Sequence, residues 1–219
     1  MSIITTKDGS HTIKNESTGD TYHSVHGAVQ ESNHVFIKSG LQCFLELASP
    51  RKIKILEVGF GTGLNAYLTI QAIIGKQVQV DYVALEPHPL EAHLVDGLNY
   101  GNDSNFKALH HAQWNSAINV TTSFTLTKIK NTIQSVELSN ATFDLVYYDA
   151  FAPNTQPEMW TFEVFQKIKS LMAVPSLLVT YCAKGQVKRD LKSAGFIVES
   201  IPGPPGKREM VRARIGFPF

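Results

Sequence analysis

The chain has 219 residues, 43% hydrophobic and 18% charged, with twenty Lys and Arg against nineteen Asp and Glu for a formal net charge of +1. That length admits one good-sized domain with a short appendage, and that composition buries a real core, which excludes a disordered, fibrous or large multidomain protein. A charge near zero excludes a polyelectrolyte that clings to nucleic acid over its whole surface.

The charge is unevenly spread: residues 184–219 carry a net +5 and the first 183 residues a net −4. Such a basic end either meets a polyanion locally or is a solvated surface. Cys43 and Cys182 lie in apolar segments without a CxxC or Cys/His pattern, so they read as buried free thiols. No signal peptide opens the chain and no apolar run approaches 18 residues, which predicts a cytoplasmic protein with no membrane partner. His110-His111 has no partners at metal-ligand spacing, and no Ser or Cys stands in a nucleophile elbow, so neither a metal nor covalent catalysis is expected.

In chain order, residues 1–50 form a small N-terminal β/α appendage that packs on a core domain, residues 51–219. Residues 3–6 and 11–13 read as two short strands around an Asp8-Gly9 turn. A polar loop follows. Val35, Phe36, Leu41, Phe44 and Leu45 then predict a helical segment over 31–47, interrupted at Ser39-Gly40 and ended by Pro50. Beyond Arg51, strands at 53–58, 78–85, 124–126, 143–148, 177–181, 196–201 and 210–215 alternate with helices at 64–74, 89–98, 130–138, 159–172 and 185–194. This is the pattern of a doubly wound, Rossmann-like α/β sheet. Pro202-Gly203-Pro204-Pro205-Gly206 is too short to hold a crossover helix, so the last two strands form an antiparallel hairpin. A mostly parallel sheet with one reversed strand at its end resembles class I methyltransferases more than dinucleotide dehydrogenases.

Strand 53–58 runs into Gly59-Phe60-Gly61-Thr62-Gly63-Leu64-Asn65 and then a helix, which places backbone amides at the carboxyl edge of the sheet, where α/β folds bind ligands. Leu64 stands where a dinucleotide fingerprint wants its third glycine. Glu57 would repel a pyrophosphate but suits a loop that handles positive charge. Glu86, at the end of the second strand, can accept both hydroxyls of a ribose. Glu86 thus supports a nucleoside cofactor without choosing which, while Leu64 and Glu57 favour S-adenosylmethionine over a nicotinamide dinucleotide.

The fourth strand delivers Asp149-Ala150-Phe151-Ala152-Pro153 to the same edge. A fixed carboxylate there stabilises an acceptor nitrogen that gains positive charge as a sulfonium loses it. With an unperturbed pKa of roughly 3.9 Asp149 is a poor base for an alkylammonium, so orientation and charge stabilisation are its expected role. Phe151 and Trp160 are candidates to stack on a base, Trp160 being equally a core residue near a helix start.

Together Glu31-Ser32-Asn33-His34-Val35-Phe36, the Gly59–Asn65 loop, Asp149–Pro153 with Pro157-Glu158-Met159-Trp160-Thr161, and Gly206-Lys207-Arg208-Glu209-Met210 resemble one family over about residues 22–215. It is the methyltransferase domain of the bifunctional tRNA 5-methylaminomethyl-2-thiouridine biosynthesis protein and its stand-alone relatives. The resemblance implies methyl transfer from S-adenosyl-L-methionine to the amine of 5-aminomethyl-(2-thio)uridine at the wobble position of the tRNA anticodon loop. It implies Asp149 at the acceptor amine and Gly59, Gly61, Gly63 and Glu86 at the cofactor, where Glu57, Phe60 and Asn65 are expected as well. Glu31, Phe151, Pro153, Trp160, Lys207 and Arg208 are then expected at the substrate. No fused oxidase is expected in this chain. Leu126-Thr127-Lys128-Ile129 departs from the pattern, because Lys128 cannot accept a hydrogen bond from the adenine amino group. Alternatives are an N-methyltransferase acting on another RNA or a small amine, and a tRNA-binding module without catalysis.

Overall fold

A computed structural model describes residues 1–101, 104–138 and 142–217. Strands β1 (Ser2–Thr5) and β2 (His11–Lys14) pair antiparallel around Asp8-Gly9. Helix α1 (Ala28–Ser32), a run of wide π-helical turns (Asn33–Gln42) and α2 (Cys43–Ala48) follow one another without a break. The expected interruption at Ser39-Gly40 is therefore a change of helical pitch. Ser39 Oγ donates to the carbonyl of His34, five residues back, at 2.8 Å. A Cβ on Gly40 would stand 2.9 Å from Val179 Cγ2 and 3.3 Å from the Tyr147 ring, so the bare glycine lets this helix lie directly on the sheet.

The core runs β3 (Lys52–Val58), α3 (Leu64–Ile73), β4 (Gln79–Leu85), α4 (Ala92–Asp96), α5 (Ser104–His111), β5 (Ala117–Thr121), β6 (Phe124–Ile129) and β7 (Phe143–Tyr148). It continues through α6 (Phe162–Ser170), β8 (Met172–Thr180), α7 (Gly185–Ser193), β9 (Ile197–Pro202) and β10 (Glu209–Ile215). Among the described residues these strands form one sheet in the order β5-β6-β4-β3-β7-β8-β10-β9. The five strands from β6 to β8 run parallel; β10 runs against both β8 and β9, and β5 against β6. The doubly wound sheet and its antiparallel C-terminal hairpin are thus as the sequence predicts.

From β3 the chain winds outward through β4 to β6, then returns to start β7 on the other side of β3. The carboxyl ends of β3 and β7 are neighbours at this reversal, the place where open α/β sheets form a crevice. One apolar cluster, with Ile55, Tyr82, Tyr147 and Phe36, covers one face of the sheet, and a second, with Val146, Tyr148, Phe165 and Leu191, covers the other. No helix among the described residues is long and apolar enough to cross a membrane.

Three expectations need correction. Residues 130–138 are turns and extended chain, not a helix. Ile133 and Val136 plug the second cluster, and the carbonyls of Gln134 and Val136 accept from Lys167 Nζ at 2.9 Å each instead of from helical amides. The third core strand extends to Ile129 and carries Lys128 inside the protein. Helix α5 and edge strand β5 went unread, because each shows only a short or exposed apolar pattern.

Candidate active site

At the β3/β7 reversal the backbone leaves little freedom. Gly59 has φ of 97°, and a Cβ there would stand 2.5 Å from the carbonyl oxygen of Asp149, so the two loop crossings touch only because residue 59 is glycine. The Asp149 segment is pinned residue by residue. Asp149 N donates to Val58 O at 3.0 Å, Tyr181 Oη to Ala150 O at 2.8 Å, and Trp160 Nε1 to Phe151 O at 2.8 Å, while Phe151 N donates to Gln156 Oε1 at 3.1 Å.

This crossing opens into a cleft of about 820 Å³. Gly59, Phe60, Gly61, Glu86, Asp149, Phe151, Glu31 and Lys207 all line it. The structure therefore brings together eight of the residues singled out from sequence. Glu57, Gly63 and Asn65 lie behind the wall: Glu57 is fully buried, Gly63 starts α3 against Phe60 and His110, and Asn65 is 2% exposed. Pro153 and Arg208 stand outside the lining, Arg208 on the surface. Trp160 is buried among Tyr148, Phe165 and Tyr181, so it holds Phe151 from behind and does not face a substrate.

The electrostatics follow from burial. Burial and the neighbouring Glu31 carboxylate push Asp149 up to about 7, against the downward pull of a hydrogen bond from Asn65 and the charge of Lys207. An ordinary carboxylate value, the sequence expectation, does not hold here. Burial also raises Glu86, whose two oxygens accept from Gly61 N at 3.0 Å and His88 N at 2.8 Å. Glu31 Oε1 accepts from Ser24 N at 3.0 Å, and Glu31 Oε2 pairs at 2.6 Å with Lys207 Nζ, which lies 4.0 Å from the centre of the Tyr181 ring.

Sequence reasoning missed the wall formed by Tyr22, His23 and Ser24. His23 shares a 2.7 Å hydrogen bond with Thr62 Oγ1, tying the N-terminal segment to the glycine loop, and burial holds its imidazole neutral by lowering its pKa to about 4. The Tyr22 ring meets Phe151 edge-on at 5.0 Å and would touch a Cβ on Gly61. Apart from the start of the family resemblance at residue 22, no pattern in that polar loop signals it.

These groups can be tested against the cofactor expected from the sequence. A pyrophosphate site needs open amides, yet the Gly61 amide is already given to Glu86. The lining holds Asp20, Glu31, Glu86, Asp149 and Glu158 against one lysine, Lys207. Such a cleft repels phosphates and suits a ligand that carries a ribose and a cationic centre, as S-adenosylmethionine does. Asn131, Thr132 and Ile133, just past the end of β6, complete the rim beside Glu86.

A family model described as S-adenosyl-L-methionine-dependent methyltransferase matches residues 103–215. The tRNA 5-methylaminomethyl-2-thiouridine biosynthesis bifunctional protein MnmC of Cupriavidus metallidurans is 31% identical over 214 residues, covering 89% of this chain and 31% of that protein. The protein of the same name from Pseudomonas fluorescens is 30% identical over 215 residues, covering 91% and 33%. The chain thus spans about a third of the length of the curated relatives it matches. MNMC2 from Aquifex aeolicus shares the fold with a TM-score of 0.80 at 24% identity, covering 99% of this chain and 70% of that chain. Spermidine synthase from Thermotoga maritima does so at 0.55 and 11% identity, covering 97% and 72%.

Proposed function

Because the chain belongs to the S-adenosyl-L-methionine-dependent methyltransferases, we propose that it methylates the amine of 5-aminomethyl-(2-thio)uridine at the tRNA wobble position, giving the 5-methylaminomethyl form in a cytoplasmic reaction. The backbone of Gly59, Phe60 and Gly61, the Glu86 carboxylate and the Asn131–Thr132–Ile133 rim would hold the cofactor. When bound, S-adenosyl-L-methionine supplies an electrophilic methyl group on a sulfonium.

The observation that carries the reading is that Asp149 and Glu31 line one cleft beside the Tyr22 and Phe151 rings. Asp149 faces the cleft on a backbone that cannot swing, so it accepts a hydrogen bond from the acceptor amine and aims the nitrogen lone pair. Its carboxyl also moves a proton. An alkylammonium near the lysine value of roughly 10.4 stands about 6 units above an ordinary aspartate but only about 3 above a carboxyl at 7, so Asp149 relieves the entering amine of its proton at lower cost. Asp149 then releases that proton to water through the open cleft, and once the nitrogen gains charge in methyl transfer the ionised Asp149 and Glu31 stabilise it. Tyr22 and Phe151 offer a pyrimidine ring an aromatic surface.

The relatives' names support tRNA as the substrate. The test is transfer of labelled methyl groups from S-adenosyl-L-methionine by the purified protein into tRNA from cells lacking this gene, followed by nucleoside analysis. Label in the 5-methylaminomethyl nucleoside is the expected result. Label that stays out of the wobble uridine while the cofactor binds would remove the proposal.

A further inference from the structure

Three chain segments meet under the glycine loop: the end of β3 and the first turn of α3, which the loop joins, and the end of β7, 84 residues beyond Asn65. Asn65 Nδ2 has two hydrogens and two acceptors there. One bond runs to Glu57 Oε1 at 3.0 Å, the other to Asp149 Oδ2 at 2.8 Å. Asn65 is 2% exposed and Glu57 fully buried, and neither lines the cleft, so a ligand in the cleft meets Asp149 and not the two groups behind it. The Asn65 backbone is itself fixed, because Thr69 Oγ1 donates to its carbonyl at 2.7 Å across one helical turn.

We infer that Asn65, backed by Glu57, is a positioning residue for Asp149 and not a ligand of the cofactor. By taking Oδ2 from behind, Asn65 stops rotation of the carboxyl group about its Cβ–Cγ bond and leaves Oδ1 to meet the acceptor nitrogen. A second anion so close behind would weaken this arrangement. Burial weakens that effect by pushing the Glu57 carboxyl well above its usual range, which disfavours its charge. Glu57 Oε1 accepts the second amide hydrogen and so anchors Asn65 from behind.

The inference rests on the reading that Asp149 meets the acceptor amine, yet its test needs no tRNA. The full-length protein, labelled with ¹³C in aspartate carboxyls, is titrated by NMR, with the Asp149 resonance assigned from Asp149→Asn; calorimetry gives the affinity for S-adenosyl-L-methionine. Asn65→Ala removes a hydrogen bond to the charged carboxylate, so the Asp149 midpoint should rise by about one unit or more while cofactor affinity stays within about threefold. Asn65→Ser, whose hydroxyl is too short to reach both carboxyls, should give the same shift and stands in if the alanine variant does not fold. Glu57→Gln retains an acceptor for Asn65 and should leave the Asp149 midpoint in place. A loss of cofactor affinity of about tenfold in either Asn65 variant, or an unmoved midpoint, overturns the inference. Normal titration with no methyl transfer into tRNA would count against the tRNA reading alone.

Discussion

The glycine-rich loop separates two cavities of opposite character, with Phe60 and Gly61 in the wall of both. On one side is the 820 Å³ cleft with its carboxylates. On the other is a cavity of about 190 Å³ lined by Lys107, Lys128, His110, His111 and Trp114, with Asp96 as its one carboxylate. Lys128 is 1% exposed; its ammonium donates to His110 O at 2.8 Å and lies 4.7 Å from the centre of the Trp114 ring and 5.6 Å from that of Phe60. Among the described residues it makes no ion pair. The contrast separates two ways of holding a cation. One that never leaves is held by rings and a carbonyl, while one that must arrive and depart is met by a carboxyl, Asp149, whose charge burial disfavours until it comes.

The strongest blow to that contrast is removal of the charge in the large cleft. Asp149→Asn keeps size but removes the charge and one of the two acceptor oxygens, and should lower the single-turnover rate of methyl transfer about 10²–10³-fold while sparing cofactor affinity. In the unaltered protein, kcat/KM should rise with pH through about 7 as Asp149 ionises, and this limb should vanish in the variant. A variant within about twofold of the parent rate would leave the carboxylate without a chemical role.

The smaller cavity makes a stability prediction of opposite sign to the usual paired lysine. Burial lowers Lys128 from 10.5 to about 8. Between those values the unfolded chain keeps the proton and the folded chain gives it up, so stability rises with pH over that window. Against Lys128→Met, which lacks the titration, the parent should gain on the order of 2 kcal/mol from pH 8 to 10.5, read from urea unfolding at each pH. Equal slopes would mean that Lys128 titrates as a solvated lysine and that the contrast between the cavities is false.

The sequence made one half of this contrast legible and hid the other. Gly59 and Gly61, Glu86 and Asp149 were readable because each stands where a strand ends, and a strand end followed by glycine or a carboxylate has a fixed place on a parallel sheet. Lys128 was misplaced because the strand was closed at Leu126. Phe124, Leu126 and Lys128 alternate onto one buried face, and nothing local reveals that Phe60 and Trp114 cover a lysine there. Extending β6 to Ile129 moves Lys128 inside and brings Asn131 to the rim, where an amide oxygen can accept a hydrogen bond that Lys128 cannot. The Tyr22–Ser24 wall was invisible for a different reason. It has no periodicity, and its position depends on long-range bonds such as that of His23 to Thr62.

Lys207 and Arg208 are neighbours in sequence and opposites in setting, which divides a single basic motif into two tests. Lys207 is half-buried at the cleft, its charge spent on Glu31 and the Tyr181 ring, and it pulls the Asp149 carboxyl down. Lys207→Met should therefore move the acidic limb of the pH profile upward by about half a unit, reducing the rate at pH 7 by about twofold. The slope of tRNA affinity against salt should hardly change.

Arg208→Ala should do the reverse and have the smallest effect. Arg208 is exposed on the β9–β10 turn, and its neighbour on that turn, Lys207, reaches the cleft, so it stands beside the mouth where an anticodon loop would enter. An exposed guanidinium that neutralises one phosphate releases about one counterion, so its loss should flatten the logarithmic salt dependence of tRNA binding by about one and weaken affinity a few-fold at physiological salt. The pH profile and cofactor affinity should stay as they are, because no part of Arg208 lines the cleft. If the salt slope instead falls with Lys207→Met and holds with Arg208→Ala, the ion pair to Glu31 opens when tRNA binds, and the half-buried lysine rather than the exposed arginine meets the phosphate.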